Sequence, residues 1–135
     1  MLWVGRAAVV SLPVEIDISN ADQVREDLLS VLNREPATLI VDMGGTTFCD
    51  SAGVNALVRA HKRAAASQAA MRLVVTGPSV LRVLAITGVD HLIDTYPSVA
   101  EALETITQPG QYDGAPEPGY AGATTDPEGW AAQPT

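Results

Sequence analysis

Ser51 sits where several chemistries meet. It lies in "CDSAG", between the run "TLIVDM" and an apolar-periodic stretch that begins at Val54. A serine on a strand-to-helix turn invites comparison with G-x-S-x-G, the nucleophile elbow of hydrolases. The elbow needs glycine two residues before the serine because a strained turn tolerates little bulk, and Cys49 fills that place here. A nucleophile also needs a base from a separate element. His61 rides the same predicted helix, about 15 Å along its axis from Ser51, and His91 lies on an apolar segment of no special character. The context for acyl transfer is missing, and no enzymatic activity is expected.

Gly44–Gly45 raises a second chemistry, a phosphate cradle. Neither G-x-x-x-x-G-K-[ST] nor a spaced third glycine follows, so the pair reads as a flexible connection. A third chemistry is reversible modification. A hydroxyl at or next to a helix N-terminus faces unpaired backbone N–H groups and the positive end of the helix dipole, so a phosphate there need not unfold the domain. Against this stands a simpler reading, because Ser and Asp are both favoured helix caps whether or not anything modifies them. Residue type and position leave the last two open. Thr46 and Thr47 are further hydroxyls close by.

The elements that would position Ser51 can be read from periodicity. "AVVSLP" reads as a strand closed by Pro13. Ser19 or Asn20 can cap a helix on which Ala21, Val24, Leu28, Val31 and Leu32 form one apolar stripe. Asn33 and Pro36 end it. "TLIVDM" is a β-branched run with the character of a buried central strand. Val54, Leu57, Val58 and His61 define the helix after Ser51, and "RLVVTGP" is a third buried strand. Ser79 is expected to cap "VLRVLAIT", Gly88 to close it, "HLIDTY" to form a last strand, and Ser98 to cap "VAEALETI". Strands separated by helices require crossover connections, hence an α/β fold with a largely parallel or mixed sheet.

The bulk properties narrow the function. The chain of 135 residues has a formal net charge of −8, which repels nucleic acid and anionic lipid unless a basic patch is concentrated somewhere. Arg59, His61, Lys62 and Arg63 are the only clustered positives and read as a solvated helix face. No direct nucleic-acid or membrane partner is expected. The run "AAVVSLPV" is too short to span a bilayer and lacks a secretory leader pattern, which points to the cytoplasm. A single cysteine precludes an internal disulfide, and no cofactor or metal is expected. From Gln108 the composition turns to Pro, Gly and Ala, with four acidic residues and no Lys or Arg, so residues 108–135 are expected to be a disordered tail on a domain of residues 1–107.

Taken together, "EIDISNADQVREDL", "TLIVDMGGTTFCDSAGVNALVRAHKRA" and "MRLVVTGPSVLRVLAITGVDHLIDTYPSVAEAL" resemble the STAS-domain family of bacterial anti-sigma factor antagonists, from about Val9 to Ile106. Glu15–Asp17, Asp42, Phe48 and Asp50–Ser51–Ala52–Gly53–Val54 carry most of the likeness, and Pro78, Arg82 and Thr87–Gly88–Val89 extend it. The resemblance implies a single domain with a mixed sheet of four to five strands flanked by about four helices. It also implies partner switching: binding to an anti-sigma factor that is a serine kinase, release of the sigma factor, loss of binding on phosphorylation of Ser51, and recovery through a serine phosphatase. The partner-binding residues it implies are Glu15, Asp17, Asp50, Ser51, Ala52, Gly53 and Val54. A related task, ligand sensing or scaffolding in a signalling or transport complex, is the alternative within the family. Val14 stands where the family usually has glycine, and "MLWVGR" leaves little room for a leading strand.

Overall fold

Thr38–Met43 organises the sheet. Leu39, Ile40, Val41 and Met43 are all fully buried, so both faces of this strand are covered, as its unbroken apolar run requires. The computed structural model describes residues 1–107, 126–127 and 130–131. In chain order it contains β1 (Leu2–Val4), β2 (Ala7–Ser11), β3 (Glu15–Ile16), α1 (Ala21–Leu32), β4 (Thr38–Met43), β5 (Phe48–Cys49) and α2 (Ser51–Ala66). There follow β6 (Ala70–Val75), α3 (Pro78–Thr87), α4 (Val89–Leu92), β7 (Asp94–Tyr96) and α5 (Val99–Thr107).

The main sheet runs β1-β2-β4-β6-β7, with β1 antiparallel to β2 and every other pairing parallel. It is the expected mixed sheet, at the upper end of the expected strand number. Met1–Leu103 forms one compact unit, and beyond it Asp126–Pro127 pairs antiparallel with Trp130–Ala131. The rest of the segment expected to be disordered lies outside the described residues.

Alternate residues of three strands face one core. Ala8 and Val10, Leu39, Val41 and Met43, and Leu73 and Val75 join Val24, Leu28 and Leu32 of α1 and Leu57, Ala60 and Ala64 of α2. Ala60 and Ala64 are fully buried and carry no bulk, which lets α2 lie close to its neighbours. On the opposite face, Arg72 of β6 donates to the Ala102 carbonyl of α5 at 2.7 Å and stacks on Tyr96 of β7.

Several sequence expectations are corrected. "MLWV" does form a leading strand: Gly5, at φ +59°, opens a two-residue turn that folds β1 back on β2. Asn20 occupies the cap position of α1, but its side chain makes no cap bond. It staples the preceding loop instead, accepting from the Asp17 N–H at 2.9 Å and donating to the Glu15 carbonyl at 2.8 Å. Ser79 does not cap α3. That cap is Gly77, followed by Pro78, whose ring sets the helical φ, while the Ser79 hydroxyl donates to the Thr47 carbonyl at 3.1 Å. "HLIDTY" divides, its first two residues ending the one-turn helix α4 and only Asp94–Tyr96 pairing with β6. Gly88 closes α3 in the left-handed conformation, and Ser98 Oγ accepts the Glu101 N–H at 3.1 Å, both as the sequence suggested.

Candidate functional site

The start of α2 is built on a two-strand bridge. β3 pairs parallel with β5, Glu15 opposite Phe48 and Ile16 opposite Cys49, and the Asp50 N–H then donates to the Ile16 carbonyl at 3.1 Å. This anchors the residue before the helix. Asp50 is the N-cap, its Oδ1 accepting from the Ala52 N–H at 2.9 Å and the Gly53 N–H at 3.1 Å. Such a cap contributes about 1 kcal/mol. Asp50, and not Ser51, therefore holds the helix end.

Ser51 is left as the first helical residue, exposed, and its hydroxyl makes no hydrogen bond among the described residues. The geometry changes what a phosphate would meet there. The two donors best placed for it, on Ala52 and Gly53, already serve the Asp50 carboxylate. A phosphoryl group on Ser51 would add close to two negative charges beside an existing one. Most of its charge would therefore stay on the surface.

Gly53 and Val54 are buried and face inward. A Cβ on Gly53 would lie 2.6 Å from Cys49 Sγ and 2.8 Å from Ile16 Cγ2, so glycine here permits the helix to rest on the bridge. The neighbouring hydroxyls are committed. Thr46 is buried and its hydroxyl donates to the Pro13 carbonyl at 2.8 Å, and the Thr47 hydroxyl donates to the Val14 carbonyl at 3.4 Å, beside the Thr47 backbone N–H at 2.8 Å. Together with Ser79 on Thr47, these bonds join the loops that follow β2 and β4 and the first turn of α3 into one surface.

That surface combines acid and apolar groups. Glu15 is exposed. The Ser19 hydroxyl, helped by the Ser19 and Asn20 N–H groups, holds the Asp17 carboxyl below its ordinary range. Val14, Ile18 and Phe48 are 60%, 84% and 49% exposed, an unusual investment of large apolar side chains in solvent. Ile18 and Ala52 share a groove of about 290 Å³ between the first turns of α1 and α2. The sequence pattern did not single out Val14 and Ile18 as site residues, because exposure cannot be read from an isolated apolar residue in a loop.

Cys49 is buried, and burial, with the Asp50 charge adding to it, pushes its thiol up to about 11. Below that value the thiol is held protonated in the packing under Gly53, the setting of a strand-end thiol. Among the described residues no cluster of His, Cys, Asp and Glu could hold a metal ion, and no helix is long and apolar enough to cross a membrane.

The fold is an α/β domain with an exposed serine at the first position of α2. The family model described as "STAS domain" matches residues 4–102. The chain belongs to the STAS-domain family. A solved anti-sigma factor antagonist from Mycobacterium paratuberculosis is 24% identical, with a TM-score of 0.73 over 79% of this chain and 91% of that one. The Bacillus cell fate determinant SpoIIAA in its phosphorylated form is 19% identical, with a TM-score of 0.61 over 78% of this chain and 96% of that one. A sulfate transporter family protein from Wolinella succinogenes is 14% identical, with a TM-score of 0.65 over 78% of this chain and 88% of that one. No curated protein matches the chain in sequence.

Proposed function

We propose that this protein is an anti-sigma factor antagonist, a binding protein whose surface around Ser51 engages an anti-sigma factor that is also a serine kinase. The observation that carries the reading is the exposed, unbonded hydroxyl of Ser51 on a helix whose end is already capped by Asp50. The unmodified surface offers Ile18, Val14 and Phe48 as apolar contacts and Glu15, Asp17, Ser51 and Ala52 as the polar and small residues among them. Asp50, Gly53 and Val54 serve the site by shaping it. Phosphorylation at Ser51 places uncompensated charge within an apolar contact, and desolvating it costs several kcal/mol. That is enough to reverse a competition between two partners, and a serine phosphatase resets it. The likeness to antagonists of known structure, one of them phosphorylated, supports the same assignment.

The test is incubation with candidate anti-sigma kinases and ATP, followed by phosphosite mapping and binding measurements. Phosphate is expected on Ser51, with Ser51→Ala retaining partner affinity and Ser51→Asp losing at least about tenfold. Equal affinity of the wild type and both variants for a confirmed partner would overturn the reading. The transporter-family likeness favours a second one, a ligand-sensing or scaffold module. It would show as recovery of a bound small molecule and no kinase in a pull-down.

A further inference from the structure

A second groove runs between α1 and α2, about 560 Å³ in volume, with Arg25 and Leu29 on one wall and Val58, Arg59, Lys62 and Arg63 on the other, and it adjoins the smaller groove beside Ala52 through Arg25 and Asn55. Its floor is apolar, since Leu29 and Val58 are half-buried against the core. Its rim holds four of the chain's eight cations. Arg25 is held by Asp22 at 3.1 Å and Glu26 at 3.4 Å, and Arg63 donates to the Asn33 side chain. Arg59 and Lys62 are exposed and make no hydrogen bond or ion pair among the described residues. On a chain of net charge −8, this is a concentration of one sign against the background.

We propose that the groove docks an acidic, amphipathic segment of a protein partner. Apolar side chains of the segment would rest on Leu29 and Val58, and its carboxylates would meet Arg59, Lys62 and Arg63. Charge complementarity selects an acidic occupant, and the floor selects one with an apolar face. A phosphodiester chain has no such apolar face to set on Leu29 and Val58. Lys62 lies about 16 Å along α2 from Ser51, some two screening lengths at physiological salt. The Lys62 end of the groove is therefore screened from the charge state of Ser51, and failure of the groove would leave the antagonist assignment standing.

The experiment titrates the isotopically labelled full chain with a synthetic helical peptide that repeats Leu at three- and four-residue spacing with Glu between. Parallel titrations use the same peptide with Gln for Glu, a single-stranded DNA oligomer, and phosphatidylglycerol vesicles. The Glu peptide is expected to shift the amides of Leu29, Val58, Arg59 and Lys62, to bind at least about tenfold more weakly to the Arg59→Glu/Lys62→Glu variant, and to weaken as salt is raised. The variant's own spectrum confirms that it is folded, and Ser51→Asp is expected to bind within about twofold of wild type. Absence of those shifts, equal binding of the Gln peptide, a stronger response to DNA or vesicles, shifts explained by self-association, or a large loss in Ser51→Asp would each overturn the proposal.

Discussion

Gly53 lies so close to Ile16 that one added methyl group would sit 2.8 Å from its Cγ2. The first turn of α2 and the β3–β5 bridge are fitted to each other at this point, and Cys49 completes the contact. Gly53→Ala is expected to gain about 1 kcal/mol of helix propensity and to lose about 1–3 kcal/mol to overpacking. The net change is expected to be destabilising. Denaturant unfolding measures it, and a variant as stable as wild type would show that the bridge yields freely.

Asp50 supplies the one side chain that satisfies two free amides of α2. Asp50→Ala is expected to cost about 1 kcal/mol, and Asp50→Asn or Asp50→Ser to restore most of it. Amide exchange at Ala52 and Gly53 should quicken in the alanine variant and remain slow in the other two.

Cys49 gives a dependence on alkaline pH. Its folded value of about 11 stands above the ordinary 9.0, so the folded state holds the thiol proton more tightly than the unfolded state. The stabilisation is present in full below the ordinary value and is lost as pH rises from about 9 towards about 11. Cys49→Ala should remove that part of the alkaline destabilisation. Iodoacetamide should label the native protein at pH 8 far more slowly than the unfolded chain.

Gln68 follows α2 with φ at +62°, a left-handed backbone that glycine adopts without steric cost. Gln68→Gly is expected to leave stability unchanged or raise it by up to about 1 kcal/mol, relief of the strain being offset in part by unfolded-chain entropy. The thermal midpoint reads the effect. A clear fall would mean that the Gln68 side chain has its own stabilising contact.

Strong periodicity made the centre of this fold legible. "TLIVDM" announced a strand covered on both faces, and the Ala21–Leu32 stripe is buried at each of its apolar positions. β3 and β5 escaped notice because two residues each carry no period, and their pairing joins segments more than thirty residues apart. The Asp50–Ser51 pair was visible as a capping signal, but sequence alone does not say which of two adjacent capping residues takes the cap. Only the backbone, extended at Asp50 and helical from Ser51, divides the roles. The cationic rim was half visible as Arg59, Lys62 and Arg63. Arg25 faces it from another helix, and of the apolar floor only Val58 stood in a periodic stripe.

The bonds from Thr46 to Pro13, Thr47 to Val14 and Ser79 to Thr47 leave little for the Ser51 surface to rearrange before a partner arrives. Under the proposed function, collision and orientation would then govern complex formation, on the order of 10⁵–10⁷ M⁻¹s⁻¹. A phosphate on Ser51 would act mainly on the lifetime of the complex, and the switch would be a clock that sets how long the partner stays.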